Sequence, residues 1–341
     1  MMTQDEISAL RPLRLDPIFL EKIWGGDRLG AVTGLDTAGR SAVGEVWLAS
    51  DLEGRQSRVS GGAEEGRSLG HLVRSRTEGI MGGAALNGDE RFPVLVKFLD
   101  TSKPLSVQVH PDGKTARRLG AGACGKSEAW YILAAEPESL IHLGLRPEVD
   151  ASAFAAGATG AEVVDLLNPI PVQAGDFFHV PPGTVHAIGA GITLLEVSES
   201  ADITYRLFDW GRLGDDGQPR PLHPEEALLS VDYERPFPGA LVPEFCGAGT
   251  ASARARLVDD AAFALELCRV GDELELDTHG VAIVYVILSG AGELNGASGA
   301  LGLTAGECWL VPAEMGVHSL VVTDDELLVA RVETRAGTEG A

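Results

Sequence analysis

The chain has 341 residues, 45% of them hydrophobic, and is long enough for two domains that each bury a core. Its formal net charge of −23 argues against a nucleic-acid surface, because phosphate backbones are bound by clustered Lys and Arg. Apolar runs such as VAIVYVIL at 281–288 are far below the roughly 20 residues of a membrane helix. We therefore expect neither nucleic-acid nor membrane partners.

The expected compartment is the cytoplasm. The first residues, MMTQDEIS, contain neither the basic nor the apolar segment of a signal peptide. The four cysteines are scattered without a Cys-x-x-Cys pair, which favours free thiols in a reducing environment over a disulfide framework.

Short β-like runs separated by Gly, Pro and Asp recur along the whole chain and predict a sandwich or barrel. The clearest are at 41–50, 92–100, 127–135, 171–181 and 192–200. Helical patterns are few and brief, at 67–82, 114–119, 161–167 and 223–231. The sequence thus predicts a mainly β protein with a few short helices.

A weak internal repeat divides the chain. VQAGDFFHVPPGTVHAI at 172–188 resembles LTAGECWLVPAEMGVHSL at 303–320, which indicates two copies of one β-module. A stretch rich in Pro, Gly and Ala at 235–250 is the expected connector. We predict a first domain over 1–245, with the helical insertions near 67–82, 161–167 and 223–231, and a second over 246–341.

The strand within PLSVQVHPDGK at 104–114 has an unusual polar face. Its apolar residues alternate with Ser106, Gln108 and His110, and the run stops at a Pro-Asp-Gly turn. Residues two apart on a strand point the same way, about 7 Å apart. This face suits a binding site better than it suits contact with water.

Two further segments supply matching groups. In GKSEAWYIL, Lys126 and Glu128 share a face where a core strand would place apolar side chains, and VPPGTVHAI delivers His186 from a turn onto a strand. If neighbouring barrel strands carry these pieces, two imidazoles, a carboxylate and the carboxamide of Gln108 converge, a set that suits a divalent ion such as Zn²⁺. The second module keeps His318 but lacks the other pieces, so we expect it to be metal-free.

Several cations have two possible interpretations. Four of the five lysines, at positions 97, 103, 114 and 126, lie within thirty residues, where they could hold a small anion or lie in solvated turns. In LLEVSESADITYRLFDWGR at 194–212, Arg206 could pair with Asp209 or Asp202, or serve as a fixed cation beside a reacting anion.

Taken in order, these segments resemble the signature segments of type I phosphomannose isomerases, which are zinc-dependent cupins. The resemblance runs from about residue 12 to 235 and also covers LDPIFLEKIWGG, VGEVWLAS and FPVLVKFLD. It implies two cupin-like jelly-roll barrels, of which only the first binds metal. It also implies the interconversion of mannose 6-phosphate and fructose 6-phosphate through an ene-diol.

The resemblance also implies roles for individual residues. One Zn²⁺, or another divalent ion, would be bound by Gln108, His110, Glu128 and His186. The sugar-phosphate pocket would be lined by Ser106, Lys126, Glu196 and Arg206, with Lys97 as a further neighbour of the phosphate. Arg206, Lys126 and Glu196 would be catalytic, and either Glu196 or Lys126 would carry the proton.

Two alternative functions are compatible with part of the pattern. A non-catalytic cupin that senses a sugar or sugar phosphate would not need both Lys126 and Glu196 beside the metal. An iron oxygenase with two histidines and one carboxylate would leave open for dioxygen the position that Gln108 fills. The oligomeric state is not predicted.

Overall fold

The computed structural model describes residues 11–84, 86–214, 216–235, 239–246 and 251–335. The chain is mainly β, with 44% strand and 15% helix. The strands are β1 Leu13–Leu15, β2 Ile18–Gly26, β3 Val43–Ala49, β4 Asp51–Leu52, β5 Arg55–Gln56, β6 Val94–Thr101, β7 Val107–Val109, β8 Glu128–Ala135, β9 Leu140–Leu145, β10 Leu167–Pro171, β11 Phe177–Val180, β12 His186–Ile188, β13 Ile192–Glu199, β14 Tyr205–Phe208, β15 Ala253–Asp259, β16 Phe263–Val270, β17 Glu273–Asp277, β18 Ile283–Ser289, β19 Ala291–Gly296, β20 Gly299–Thr304, β21 Cys308–Val311, β22 Val317–Val322 and β23 Leu327–Thr334.

Helices are short and lie mainly in the first half of the chain. They are α1 Leu29–Thr33, α2 Leu69–Ser75, α3 Thr77–Met81, α4 Gly113–Arg118, α5 Ala151–Gly157 and α6 Pro224–Ser230, with 3-10 turns at Ala161–Leu166 and Ala313–Met315. Among the described residues, none of the helices has the length and apolar character that crossing a bilayer requires.

The predicted helical segments are present, with differences in detail. The segment at 67–82 forms two helices, because Arg76 leaves helical geometry between α2 and α3. The segment at 161–167 is a 3-10 turn. Two short helices, α1 and α5, were not predicted; α5 begins after Asp150, whose carboxylate accepts a hydrogen bond from the backbone of Ala153 at 2.8 Å and caps the helix.

Each module consists of two facing antiparallel sheets. In the first module the strand orders are β11-β8-β13-β6-β2-β3 and β10-β9-β12-β7-β14. In the second they are β1-β21-β18-β23-β16-β15 and β17-β22-β19-β20. The predicted mainly β fold with two barrel modules is confirmed.

The largest apolar core lies between the modules. Alternate residues of the two six-stranded sheets point away from their own barrels and pack against each other, so that Val96 and Val197 of the first sheet and Val286 and Val332 of the second are fully buried in one cluster. Strand β13 is buried on both faces. One face packs against the second module, and the residues of the opposite face line the first barrel. The barrels are therefore packed back to back.

The division into domains at 245/246 stays a prediction. Strand β1, from the start of the chain, pairs with β21 and so extends a sheet of the second module. The predicted connector at 235–250 falls partly on 236–238 and 247–250, which lie outside the described residues. Its described part includes Leu241, which exchanges two backbone hydrogen bonds of 2.9 Å with Phe177 of β11.

Candidate metal centre and active-site cavity

Three buried side chains meet inside the first barrel. His110 follows β7, Glu128 begins β8 and His186 begins β12, and one ligand atom of each lies within 4.8 Å of the others. The three side chains are at most 2% exposed. The antiparallel pairing of β12 with β7, in which His186 lies opposite Gln108, brings two of these segments together.

Backbone carbonyls orient both imidazoles. The Nδ1 of His186 lies 2.9 Å from the carbonyl of Thr184, and the Nδ1 of His110 lies 2.5 Å from that of Ile203. An Nδ1 that donates to a carbonyl leaves Nε2 as a lone pair facing the centre, as metal-binding histidines require. The Nε2 of His110 is buried and lies 3.1 Å from the Oε1 of Glu128.

The charges at this centre favour a bound cation. Burial, followed by the charge of His110, lowers the pKa of His186 to about 4, and burial together with Lys126 lowers the pKa of His110. Both imidazoles are therefore neutral at pH 7 and present lone pairs beside the Glu128 carboxylate. Two imidazole lone pairs beside a carboxylate fit a divalent ion with nitrogen and oxygen ligands.

Gln108 lies at the edge of the same centre. Its amide nitrogen is 3.2 Å from the Nε2 of His186, and its amide oxygen accepts a 2.9 Å hydrogen bond from the hydroxyl of Ser106. The oxygen, the atom of this side chain that could bind a cation, is thus held by the buried Ser106. The amide nitrogen thus faces His186, and a flip of the amide, which exchanges its oxygen and nitrogen, would turn the oxygen towards the centre.

A row of charged side chains crosses the sheet next to the centre. Glu196 of β13 lies opposite Lys97 of β6, and its Oε1 is 3.0 Å from the lysine Nζ. The Nζ of Lys126 is 2.6 Å from Glu128 and 3.6 Å from Glu196. Burial and the charge of Glu128 raise the pKa of Glu196, although Lys97 and Lys126 oppose this effect. Glu196 is therefore a stronger base than an exposed glutamate.

The row of charged side chains continues into residues that were not among the predicted site residues. Glu45 and Trp47 of β3 lie on the cavity side, and the indole nitrogen of Trp47 donates to Glu45 at 2.8 Å. Lys22 lies 3.3 Å from the same carboxylate. Burial would raise the pKa of Glu45, but Lys97 and Lys22 lower it to about 2. A glutamate and a tryptophan alternating with apolar residues in VGEVWLAS were the available signal.

Arg206 is bound to neither Asp209 nor Asp202 in this structure. Among the described residues no ion pair within 4 Å includes Arg206, and its buried Nε has no hydrogen-bond partner. Asp209 is instead bound by Arg212 and Arg220, and Asp202 lies 3.6 Å from Arg55. Of the two interpretations of Arg206, the pairing with Asp209 or Asp202 is not observed.

These groups line one cavity of about 270 Å³. The lining residues come from both sheets of the first barrel: Lys22, Trp24, Glu45, Trp47, Arg55, Lys97, Leu99, Leu105, Ser106, Gln108, Lys126, Glu128, Trp130, Ile188, Glu196, Asp202, Thr204, Arg206 and Arg220. The structure thus brings the predicted substrate-binding and catalytic residues into one cavity with Gln108 and Glu128, while His110 and His186 are buried and are not among the lining residues. Lys103 is exposed and is not among these residues.

The corresponding place in the second module has different chemistry. Strand register makes Leu276 the counterpart of Gln108, since it lies opposite His318 as Gln108 lies opposite His186. In the same way Ile283, opposite Val311, replaces Glu128, opposite Val180. The remaining His318 places its Nε2 2.7 Å from the hydroxyl of Tyr285.

Comparison with known proteins places these observations in a family. The family model described as "Phosphomannose isomerase type I, catalytic domain" matches residues 13–140. The probable mannose-6-phosphate isomerase GmuF of Bacillus subtilis is 31% identical over 309 residues, covering 91% of this chain and 96% of that protein. The mannose-6-phosphate isomerase ManA of the same organism is 39% identical over 221 residues, covering 65% of this chain and 68% of that protein.

A solved structure agrees over a greater length. The crystal structure of the mannose 6-phosphate isomerase from Bacillus subtilis has a TM-score of 0.85 and 27% identity, covering 94% of this chain and 99% of that one. The resemblance deduced from the signature segments is confirmed, and the chain belongs to the type I phosphomannose isomerase family.

Proposed function

We propose that this protein interconverts mannose 6-phosphate and fructose 6-phosphate. The observation that carries the proposal is the meeting of three ligand atoms within 4.8 Å beside a cavity that also contains Lys126, Glu196 and Arg206. A site that only binds a sugar needs polar contacts. The paired lysine and glutamate next to a metal centre additionally supply groups that can move a proton.

The metal of the proposal is one Zn²⁺, bound by His110, Glu128 and His186 with Gln108 as the fourth ligand. Two imidazole nitrogens and two side-chain oxygens suit zinc, and other divalent ions can use the same donors. When bound, such an ion acts as a Lewis acid that polarises the sugar carbonyl and makes the neighbouring C–H more acidic.

The proton transfer between C1 and C2 belongs to Glu196 or Lys126. Both side chains are buried in the cavity wall, and their charged ends are 3.6 Å apart. Glu196 can receive the proton as a carboxylate, whereas Lys126 would first have to pass its own proton to a neighbouring carboxylate. A positioned base of this kind contributes a rate factor of roughly 10²–10⁴. Lys97, 3.0 Å from Glu196, keeps that carboxylate oriented.

The remaining cations suit the anionic parts of the substrate. Arg206 is available for the phosphate or for the oxyanion that develops in the ene-diol, since its guanidinium has a planar fork and no acidic partner among the described residues. Ser106, fixed to Gln108, lines the same wall and can contact a sugar hydroxyl. Lys97 is proposed as a further neighbour of the substrate.

Cytoplasmic location and the absence of nucleic-acid partners remain part of the proposal. All four cysteines are free thiols, which suits a reducing compartment. The net charge of −23 disfavours phosphate backbones, whereas the cations gathered in the cavity favour one small anion.

The test is the turnover of mannose 6-phosphate by the purified protein as isolated, after chelation, and after zinc is restored. We expect activity that disappears with the metal and returns with it. His110→Ala should lose metal and activity together, because it removes a ligand, whereas His71→Ala, in the exposed part of α2, should change neither. A folded, metallated protein that is inactive in every state would contradict the proposal and favour the sugar-sensing cupin.

A further inference from the structure

A cluster of polar side chains connects the two modules at the start of β8, the strand that begins with Glu128. The hydroxyl of Ser127 lies 3.1 Å from the Nε2 of His179 and 3.1 Å from the Oδ2 of Asp260, and these last two atoms are also 3.1 Å apart. Ser127 and His179 belong to the first module, and Asp260 lies in the turn between β15 and β16 of the second. The cluster is therefore a contact between modules.

Ser127 stands between two residues of the cavity. Lys126 and Glu128 line the cavity, whereas Ser127, in the segment that leads into β8, contacts Asp260 of the second module. The backbone at Ser127 is also held: its N–H donates to the carboxylate of Glu199 at 2.8 Å, and its carbonyl accepts from the N–H of Glu199 at 3.0 Å.

The geometry excludes a nucleophilic triad. In such a triad the aspartate and the serine contact different nitrogens of the imidazole. Here Ser127 and Asp260 both contact the Nε2 of His179, and Ser127 is 2% exposed, out of reach of a substrate. The arrangement is a carboxylate that accepts two hydrogen bonds, which is a structural role.

Asp260 is well placed to act as a rigid anchor. Its Oδ1 accepts a 3.0 Å hydrogen bond from the N–H of Ala262, and its own N–H donates to the carbonyl of Phe263 at 2.9 Å. Burial would raise the pKa of Asp260, but the hydrogen bonds from His179, Ala262 and Ser127 lower it. The carboxylate is thus ionised at neutral pH, and its bonds to Ser127 and His179 are charge-assisted.

We propose that Asp260 is a positioning residue through which the second module holds Ser127, and thereby Lys126 and Glu128, in place for metal binding and turnover. This inference rests on the proposed function for its catalytic part, whereas its metal-binding part depends only on Glu128 being a ligand. The second module then has a role in the site, because its Asp260 holds a residue of the first module in place.

The test compares Asp260→Ala and Asp260→Asn with a matched control, Asp324→Ala, an exposed aspartate of the same module. The measurements are kcat, KM and zinc affinity by competition with a chelator. Loss of a group that hydrogen-bonds a metal ligand directly costs roughly 10- to 100-fold in affinity or activity, and Asp260 acts one residue further away, through Ser127. We expect kcat and zinc affinity of Asp260→Ala to fall about tenfold and KM to stay within about twofold, with the control unchanged and Asp260→Asn intermediate.

Variants of Ser127 complete the test. Ser127→Ala should lower kcat and zinc affinity as Asp260→Ala does. The double variant should lose no more than Asp260→Ala alone, because the bond between Ser127 and Asp260 is already absent in that variant. Ser127→Thr, which keeps the hydroxyl, should retain near-full activity. If Asp260→Ala does not fold, Asp260→Asn and Ser127→Ala provide the comparison.

Two outcomes separate the proposals. If kcat and zinc affinity of the folded Asp260 and Ser127 variants stay within twofold of the starting protein, or if their losses are additive in the double variant, the positioning role is wrong. If the starting protein does not turn over mannose 6-phosphate but zinc affinity still depends on Asp260, the proposed function fails and the positioning of Glu128 stands.

Discussion

At the scale of single residues, the site is distinguished by which charges have partners. Asp209 has two arginines, Arg212 and Arg220, whereas Arg206, only a few residues away, has no acidic partner among the described residues. A half-buried cation without a partner costs free energy of desolvation, which a bound anion would recover. The free guanidinium is therefore the group in the cavity wall with most to gain from a substrate.

Arg206→Ala should lower kcat about 100-fold, since removal of one charged group that stabilises a developing oxyanion costs roughly 10²–10³ in rate. Metal content should be unchanged, because Arg206 contacts none of the three ligands. The measurement is steady-state turnover together with metal analysis. Arg118→Ala, an exposed arginine of α4, serves as the control. Loss of the folded state instead of turnover would assign Arg206 a structural role.

Glu45 should make stability depend on pH. Its pKa is lowered from 4.5 to about 2, so its contribution is fully present above pH 4.5 and is lost as the pH falls towards 2. At about 1.4 kcal/mol per pKa unit, the contribution at pH 7 has an upper limit of about 3 kcal/mol.

Urea unfolding of Glu45→Gln and of the starting protein measures this contribution. We expect the variant to be less stable by about 2 kcal/mol at pH 7, with the difference shrinking below pH 4.5. Glu53→Gln, which changes an exposed carboxylate, should show no such difference. If the difference in unfolding free energy between Glu45→Gln and the unsubstituted protein stays constant down to pH 3, Lys22 and Lys97 do not stabilise the carboxylate.

At the scale of elements, the position of each ligand depends on close approach between strands. Strand β12, which begins with His186, runs beside β9 and ends at Ile188, just before Gly189. The N–H of Gly189 donates to the carbonyl of Leu140 at 3.0 Å, and a Cβ at Gly189 would lie 2.1 Å from that oxygen. Only glycine allows the two backbones to approach this closely.

Gly189→Ala should therefore push β12 away from β9. We expect a loss of about 2–4 kcal/mol in the free energy of unfolding, together with weaker metal binding through the displaced His186. The matched control is Gly302→Ala in β20, where an added Cβ meets no atom within 4 Å. Denaturant unfolding and metal affinity of the two variants check the prediction. If Gly189→Ala and Gly302→Ala have equal stability and equal metal affinity, the strands have room to separate.

At the scale of the whole molecule, the two barrels are joined by their largest core. Fully buried residues of both six-stranded sheets form one cluster between the modules, and β1 adds a strand from the start of the chain to the second module. Separation of the modules would expose this apolar surface, at a cost of roughly 25 cal/mol for each Å². Neither barrel is expected to be stable alone.

Calorimetry should accordingly show one unfolding transition, with equal calorimetric and van't Hoff enthalpies. Leu195→Ala, which opens a cavity between the sheets at a cost of about 2–5 kcal/mol, should shift the whole transition. Hydrogen exchange in β13 and β23 should increase together. Two separated transitions, of which Leu195→Ala moves only one, would show that the modules unfold independently.

Much of the candidate site could be predicted because its donors are local in the sequence. Strand alternation places Ser106, Gln108 and His110 on one face, and the same rule pairs Lys126 with Glu128. The two-barrel fold followed from short strands and a repeated segment for the same reason. The helices were located less accurately, since segments of five to seven residues are decided by caps and tertiary contacts more than by propensity.

The sequence by itself thus determined the mainly β fold and the family and predicted the candidate donors, since each is written in local periodicity and ordered motifs. Only the tertiary structure decided that Glu45 joins the cavity, that Arg206 has no acidic partner among the described residues, and that Asp260 reaches Ser127 from the other module. The physical reason is the same in each case: these contacts depend on strand order and on which sheets pack together, and they join residues far apart in the chain.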